Sequence, residues 1–236
     1  MNLDIVGVRF VSVESPSMGS LCLISALDIA KLYLMGLRTY KKILAWWPRT
    51  PPTGFGLGSL GRYPNRAYGL SLCRGDVSAN DCRTCLVNAS TEITKRCPND
   101  RGAIIWYDNC YLKYLDDDFL GKIDTQNRFY MWNLNNVSIN PQIFNQKTRE
   151  LLSKLSENSI KTTKMFAKGE VEVGVGEYAK IYGMVQCSRD LSRVDCKKCV
   201  DDAISELPRC CGGKQGGRVV GGSCNIRYET YPFINL

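Results

Sequence analysis

Histidine is absent from all 236 residues. The imidazole is the side chain whose unperturbed pKa lies nearest neutrality. Its absence removes the commonest general base, the Ser-His and Cys-His nucleophile pairs, and every zinc site with a His ligand. Catalysis is therefore not expected, and neither is a metal or cofactor. A long uninterrupted apolar run is missing as well. Residues 21–37 are apolar but include Asp28 and Lys31, which makes them a poor membrane span and a better amphipathic helix, so no transmembrane segment is expected. Residues 1–18 hold Asp4 and Glu14 against a single base, Arg9, and lack the basic start and apolar centre of a secretory signal. Nor is there a dense Lys/Arg cluster interleaved with aromatics. A formal charge of +8 would suit an acidic partner such as a cell-wall polyanion, but without such a cluster it reads as a solvated basic surface, and no nucleic-acid partner is expected.

Cysteine, in contrast, is abundant and ordered. Cys73, Cys82, Cys85, Cys97 and Cys110 recur 114 positions later as Cys187, Cys196, Cys199, Cys211 and Cys224, both sets reading C-x8-C-x2-C-x11-C-x12-C. Tyr68-Gly69 likewise aligns with Tyr182-Gly183, Ser78 with Ser192, Asp81 with Asp195, Ala89 with Ala203 and Tyr114 with Tyr228. The chain is a tandem repeat of two domains of roughly 100 residues, a size at which covalent closure supplements a modest core. Twelve cysteines, an even number, point to a disulfide framework in a secreted protein. Two acceptor triplets for N-linked glycans, Asn88-Ala89-Ser90 and Asn136-Val137-Ser138, agree with that compartment.

Ser78-Ala79-Asn80-Asp81 and Ser192-Arg193-Val194-Asp195 each have capping-box spacing, so a helix is expected to begin there in each copy. Cys82, Cys85, Leu86, Ala89 and Ile93 then share one helical face, as do Cys196, Cys199, Val200, Ala203 and Leu207, with Pro98 and Pro208 near the expected stops. Strand pairs are expected over 103–107 with 111–115 and over 218–220 with 225–231. Residues 141–155 fit a further helix with Asn140 as its cap, and 28–46 would supply its counterpart in the first copy. The span 115–135, with its acidic run at Asp116-Asp117-Asp118, reads as the joiner.

The two C-x2-C pairs could suggest a four-cysteine zinc site or a redox dithiol. Each pair, however, belongs to its own repeat with three further matched cysteines, and no βαβ pattern lies beside either, so disulfides are the better reading. Cys22 and Cys210 fall outside the repeat. Each could complete an odd set of five, but Cys210 adjoins Cys211, where a vicinal bond departs from ordinary geometry, and a free or intermolecular Cys210 stays open.

These residues resemble the plant cysteine-rich repeat secretory proteins, built from ginkbilobin-type domains marked by C-x8-C-x2-C. The resemblance is carried by residues 68–76 with Cys82 and Cys85, by residues 182–187 with Cys196 and Cys199, and by residues 210–229. It implies an α+β fold of two tandem disulfide-linked domains, each with two helices on a small antiparallel sheet: residues 40–133 and 134–236, after an atypical segment over 1–39. It implies the bonds Cys73–Cys82, Cys85–Cys110, Cys187–Cys196 and Cys199–Cys224, with Cys22 placed to reach Cys97 and Cys211 left in doubt. It further implies secretion to the apoplast and a non-enzymatic role in extracellular defence or signalling. The alternative is a protein-interaction module cut from, or parallel to, the ectodomain of a cysteine-rich receptor-like kinase, with extracellular receptor proteins as partners.

Some members of the family bind mannose through an Asn, an Arg and a Glu. Arg218 and Glu229 match the last two and Asn135 falls near the first, so cell-wall or glycoprotein glycans are expected partners of the second domain. A guanidinium and a carboxylate offer fixed donors and acceptors to sugar hydroxyls, although an Arg218–Glu229 cross-strand ion pair is the simpler use of the same residues. The first copy carries Ile104 and Leu115 instead. Tyr228 and Tyr231 could stack on a sugar or pack on the sheet.

Overall fold

In the computed structural model, the described residues are 53–63, 66–97, 100–174 and 180–234, together with the backbone of 19–23. They divide into two compact units between Leu120 and Gly121. Each unit holds a five-stranded antiparallel sheet. In the first, β1 (Gly19–Leu23), β2 (Phe55–Leu60), β3 (Ala67–Cys73), β4 (Gly102–Trp106) and β5 (Cys110–Leu115) lie in the order β1-β4-β5-β3-β2, with helix α1 at Ala79–Arg96. In the second, helices α2 (Pro141–Ser159) and α3 (Arg193–Cys211) accompany β6 (Arg128–Trp132), β7 (Phe166–Glu172), β8 (Lys180–Cys187), β9 (Gly216–Gly221) and β10 (Cys224–Glu229), in the order β6-β9-β10-β8-β7. The two orders are the same order.

The capping boxes start α1 and α3 in the same way. Ser78 Oγ accepts from the Asp81 amide at 3.1 Å, and Ser192 Oγ accepts from the Asp195 amide at 3.1 Å, each satisfying a donor that the helix cannot. Asn140 caps α2, its Oδ1 accepting from the amides of Gln142 and Ile143 at 2.9 and 3.2 Å. One face of each helix is buried: Cys82, Leu86, Ala89 and Ile93 on α1, Phe144, Leu151, Leu152 and Leu155 on α2, and Cys196, Val200, Ala203 and Leu207 on α3. In the second domain these meet Ile181, Val185, Val219, Ile226 and Tyr228 from alternate strand positions. Gly183 admits α2 closely, since a Cβ there would stand 2.9 Å from Leu151 Cδ2.

The cysteine spacing has a direct structural meaning. Cys73 lies opposite Cys110 on neighbouring central strands, and Cys187 lies opposite Cys224. Cys82 and Cys85, one helical turn apart, each take one member of that strand pair: Cys73–Cys82 with 5.6 Å between Cα atoms, and Cys85–Cys110 with 6.1 Å. Cys187–Cys196 and Cys199–Cys224 repeat those separations, 5.6 and 6.1 Å. Every distance lies within the ordinary disulfide range. Helices α1 and α3 are thus each bolted twice to two adjacent strands. With their sulfurs in disulfides, the C-x2-C pairs are not thiolates available to zinc.

Some expectations change. Residues 21–23 belong to strand β1, paired with β4, and not to an amphipathic helix, because the β4 edge satisfies their backbone groups; the remainder of 21–37 and the helix expected over 28–46 lie outside the described residues. Part of the span read as a joiner is strand β6, which completes the second sheet against β9. Pro208 does not end α3, which runs on to Cys211. Cys210 is bonded to Cys211, so neither is free or intermolecular. Cys97 is disulfide-bonded, while the Cys22 side chain, expected to reach it, lies outside the described residues.

Candidate ligand-binding face

Strand alternation gives each sheet a face toward its helices and a face away from them. On the second sheet the outer face gathers Gln186 from β8, Arg218 from β9, and Asn225, Arg227 and Glu229 from β10, since Arg218 lies opposite Arg227 and Asn225 opposite Gln186. Two of the three sequence candidates therefore share this face, one diagonal step apart. Glu229 lies opposite Gly216, where a Cβ would overlap its carboxylate. The bare glycine is what lets the acid lie flat on the sheet.

Asn135 is exposed in the turn after β6. Its carbonyl accepts from the Gln215 amide at 3.1 Å and its amide donates to Asn133 Oδ1 at 2.9 Å, while the Asn133 amide donates to the Gly216 carbonyl at 2.9 Å. The turn is thereby fastened to the start of β9, at the end of the sheet where Glu229 crosses Gly216. Arg218 and Glu229 are only 8% and 9% exposed.

Glu229 makes an ion pair along its own strand: Arg227 Nε donates to Oε1 at 2.9 Å. Arg227 also donates from a terminal guanidinium nitrogen to the Tyr231 hydroxyl at 3.1 Å, and its Cζ lies 4.3 Å from the Phe233 ring centroid. Arg218 Nε donates to Asn225 Oδ1 at 3.4 Å. Sequence reasoning missed Arg227, although the two-residue spacing Arg227-x-Glu229 on a strand was signal enough to put both on one face. Tyr231 lies beside this face through its bond with Arg227, while Tyr228 points the other way. The Tyr228 hydroxyl is placed to donate to the carbonyls of Cys211 and Lys214 at 2.7 and 3.2 Å, and burial, followed by the charge of Glu229, raises its pKa well above the ordinary phenol value. A second cluster, also missed, joins Arg128 and the Tyr130 hydroxyl to the Glu206 carboxylate.

At the matching positions of the first sheet stand Ile104 for Arg218, Lys113 for Arg227 and Leu115 for Glu229. Ile104 is fully buried, and Lys113, 3% exposed, sets its ammonium 4.5 Å from the Phe119 ring centroid. Among the described residues no group of three or more His, Cys, Asp or Glu could hold a metal ion, and no helix is long and apolar enough to cross a membrane.

Two like sheets, each joined to a helix by two disulfides, define a tandem cysteine-rich module of two domains. The Stress-antifung family, described as salt stress response/antifungal, matches residues 29–117 and 132–231, and the chain belongs to it. It is 56% identical over 187 residues to the antimicrobial ginkbilobin-2-like protein of Castanea crenata, covering 79% of this chain and 76% of that one. It is 52% identical over 188 residues to cysteine-rich repeat secretory protein 38 of Arabidopsis thaliana, covering 79% and 73%. Among solved structures, the tandem DUF26 ectodomain of the Arabidopsis thaliana cysteine-rich receptor-like protein PDLP8 superposes with a TM-score of 0.70 at 25% identity, covering 89% of this chain and 96% of that one.

Proposed function

We propose that this chain is an extracellular, non-catalytic defence protein that acts by binding, with the outer face of its second sheet as the recognition surface for mannose-type glycans. The observation that carries the reading is the placement of Arg218 and Glu229 on one sheet face with the Asn135 turn fastened at its end. A planar guanidinium, a carboxylate and an amide there suit neighbouring sugar hydroxyls, and the exposed ring of Tyr231 beside them suits a sugar's apolar face. The names of its relatives, one antimicrobial and others secretory, support the extracellular defence setting. The test is titration of oxidised protein with methyl α-mannoside by calorimetry, alongside a glycan array. Binding that Arg218→Ala and Glu229→Ala each weaken at least tenfold supports the reading; no binding to mannose-type ligands removes it.

A second reading rests on the burial of Arg218 and Glu229 and on the likeness to a receptor-like ectodomain: the protein engages other extracellular proteins, and the charged face serves the fold. Unchanged glycan-array signals in both variants, together with a lowered melting temperature, would favour it.

A further inference from the structure

The sugar-contact reading leaves two sequence features unused, the acceptor triplets at Asn88 and Asn136. We propose that each domain carries one N-linked glycan, on Asn88 in the first and on Asn136 in the second. The proposal rests on the extracellular reading above, since only chains entering the secretory route meet the donor. Asn88 lies on the solvent side of α1. It is exposed, while its neighbour Ala89 is fully buried beneath the helix. Asn136 is exposed in the segment ahead of α2, and the chain around it is fixed: Val137 is 7% exposed, the Asn136 carbonyl accepts from Gln215 Nε2 at 3.1 Å, and its backbone bridges to Lys214.

Several other asparagines use their side-chain amides within the fold. Asn127 is tied to Asp124, Asn133 holds the Asn135 amide, Asn140 caps α2, and Asn145 accepts from the Gly213 amide. The amides of Asn88 and Asn136 make no such bond among the described residues, so a sugar on Nδ2 displaces nothing. In the transfer, Nδ2 attacks the anomeric carbon of a lipid-diphosphate-linked oligosaccharide. The new C–N bond forms as the C–O bond to the diphosphate breaks, and one amide proton is lost.

The positions are not repeats of one another. Asn88 aligns with Asp202, and Asn136 with Cys22. A glycan on α1 covers the helix face that in α3 stays bare and charged, where Arg193, Lys197 and Lys198 border Val194, 78% exposed. Glycosylation therefore makes the two like helices present different surfaces.

The test uses the full chain exported from plant cells, digested and mapped by mass spectrometry before and after a peptide-N-glycosidase that tolerates core fucose, in ¹⁸O water. Expected are glycan-bearing peptides at both sites, converted to ¹⁸O-labelled Asp on release. Asn88→Gln and Asn136→Gln should each lose one electrophoretic step, and the double variant both. An unmodified Asn at either position removes that site. Bare Asn at both, in protein whose disulfides are intact, overturns the proposal and leaves the extracellular reading standing; bare Asn with free thiols overturns both.

Discussion

On the helix-facing side, the two sheets share their cysteines, the glycines Gly69 and Gly183, and the tyrosines Tyr114 and Tyr228. On the side facing away, they share little beyond Tyr68 with Tyr182 and a cation at Lys113 and Arg227. The first sheet presents Leu70, Leu72, Ile104 and Trp106, all 4% exposed or less, where the second presents Met184, Gln186, Arg218 and Val220. The inner faces are held alike by two disulfides of equal span, a serine cap of equal length and a tyrosine at the helix end. The shared scaffold lies on the inner faces, and the outer faces are where the two domains differ most in residue type, apolar and buried in the first and partly charged in the second.

The sharpest way to break that contrast is to exchange residues across it. Ile104→Arg puts a cation at a fully buried apolar position and is expected to cost about 3–5 kcal/mol, the scale for a buried charge without its partner. Arg218→Ile, the reverse change, loses the donor to Asn225 Oδ1 but buries no charge, and should cost less, about 1–3 kcal/mol. Urea unfolding followed by tryptophan fluorescence measures both. Equal losses would mean that Arg218 holds its sheet as firmly as Ile104 holds the first, and the distinction between faces would fall.

The disulfides probe the shared side. Cys85→Ser with Cys110→Ser opens a bridge of sequence separation 25, and Cys199→Ser with Cys224→Ser opens its equal. Each pair is expected to cost about 2–4 kcal/mol, because loops of the same length regain the same freedom in the unfolded chain. Thermal melts differing by much more than 1 kcal/mol between the two double variants would show that the repeats are not energetically equivalent.

Legibility in the sequence follows the same division. Features built from local contacts were readable: the caps of α1, α2 and α3 from serine and asparagine spacing, the buried helix face from its period, and β4, β5, β9 and β10 from their β-branched and aromatic runs. The central strands β3 and β8 and the edge strands were not. β6, Arg-Phe-Tyr-Met-Trp, has no alternation, all five of its residues being half-buried, and becomes a strand only because β9 offers it a register. Pro208 signalled a stop that the tertiary structure overrides, since the Tyr228 hydroxyl holds the end of α3 at Cys211. The candidate site was half legible. The types Arg218 and Glu229 could be named, but Arg227 as the partner of Glu229 follows only from the strand's pleat.

Those tyrosines give a smaller and more discriminating test. Tyr114 and Tyr228 are repeat equivalents, yet the Tyr114 hydroxyl stands 3.4 and 3.3 Å from the carbonyls of Cys97 and Asp100, against 2.7 and 3.2 Å for Tyr228 with Cys211 and Lys214. Tyr228→Phe should cost about 1–2 kcal/mol and Tyr114→Phe less, in line with the shorter bond. The phenol of Tyr228 also sets a pH dependence. Its pKa in the folded protein is raised by burial, so the unfolded chain ionises first; stability from this group is whole below the ordinary value near 10 and falls as pH rises above it. Phe at 228 should flatten that alkaline decline, and a decline of unchanged slope would count against the assignment.

The smallest expected effect concerns the caps, where the repeats should agree most closely. Ser78 and Ser192 each accept from the third residue's amide at 3.1 Å and donate to its carboxylate at 2.7 Å. Each Ser→Ala change removes one satisfied helix donor and should cost about 1 kcal/mol. The first turn of α1 carries no cation at Ala79 or Asn80, whereas α3 has Arg193 there, a charge that the positive helix end disfavours. That charge acts on α3 both before and after the cap is removed and cancels from the difference, so Ser192→Ala and Ser78→Ala are expected to cost the same within a few tenths of a kcal/mol. A larger gap in urea midpoints would place the inequality of the repeats in their cores and not at their surfaces.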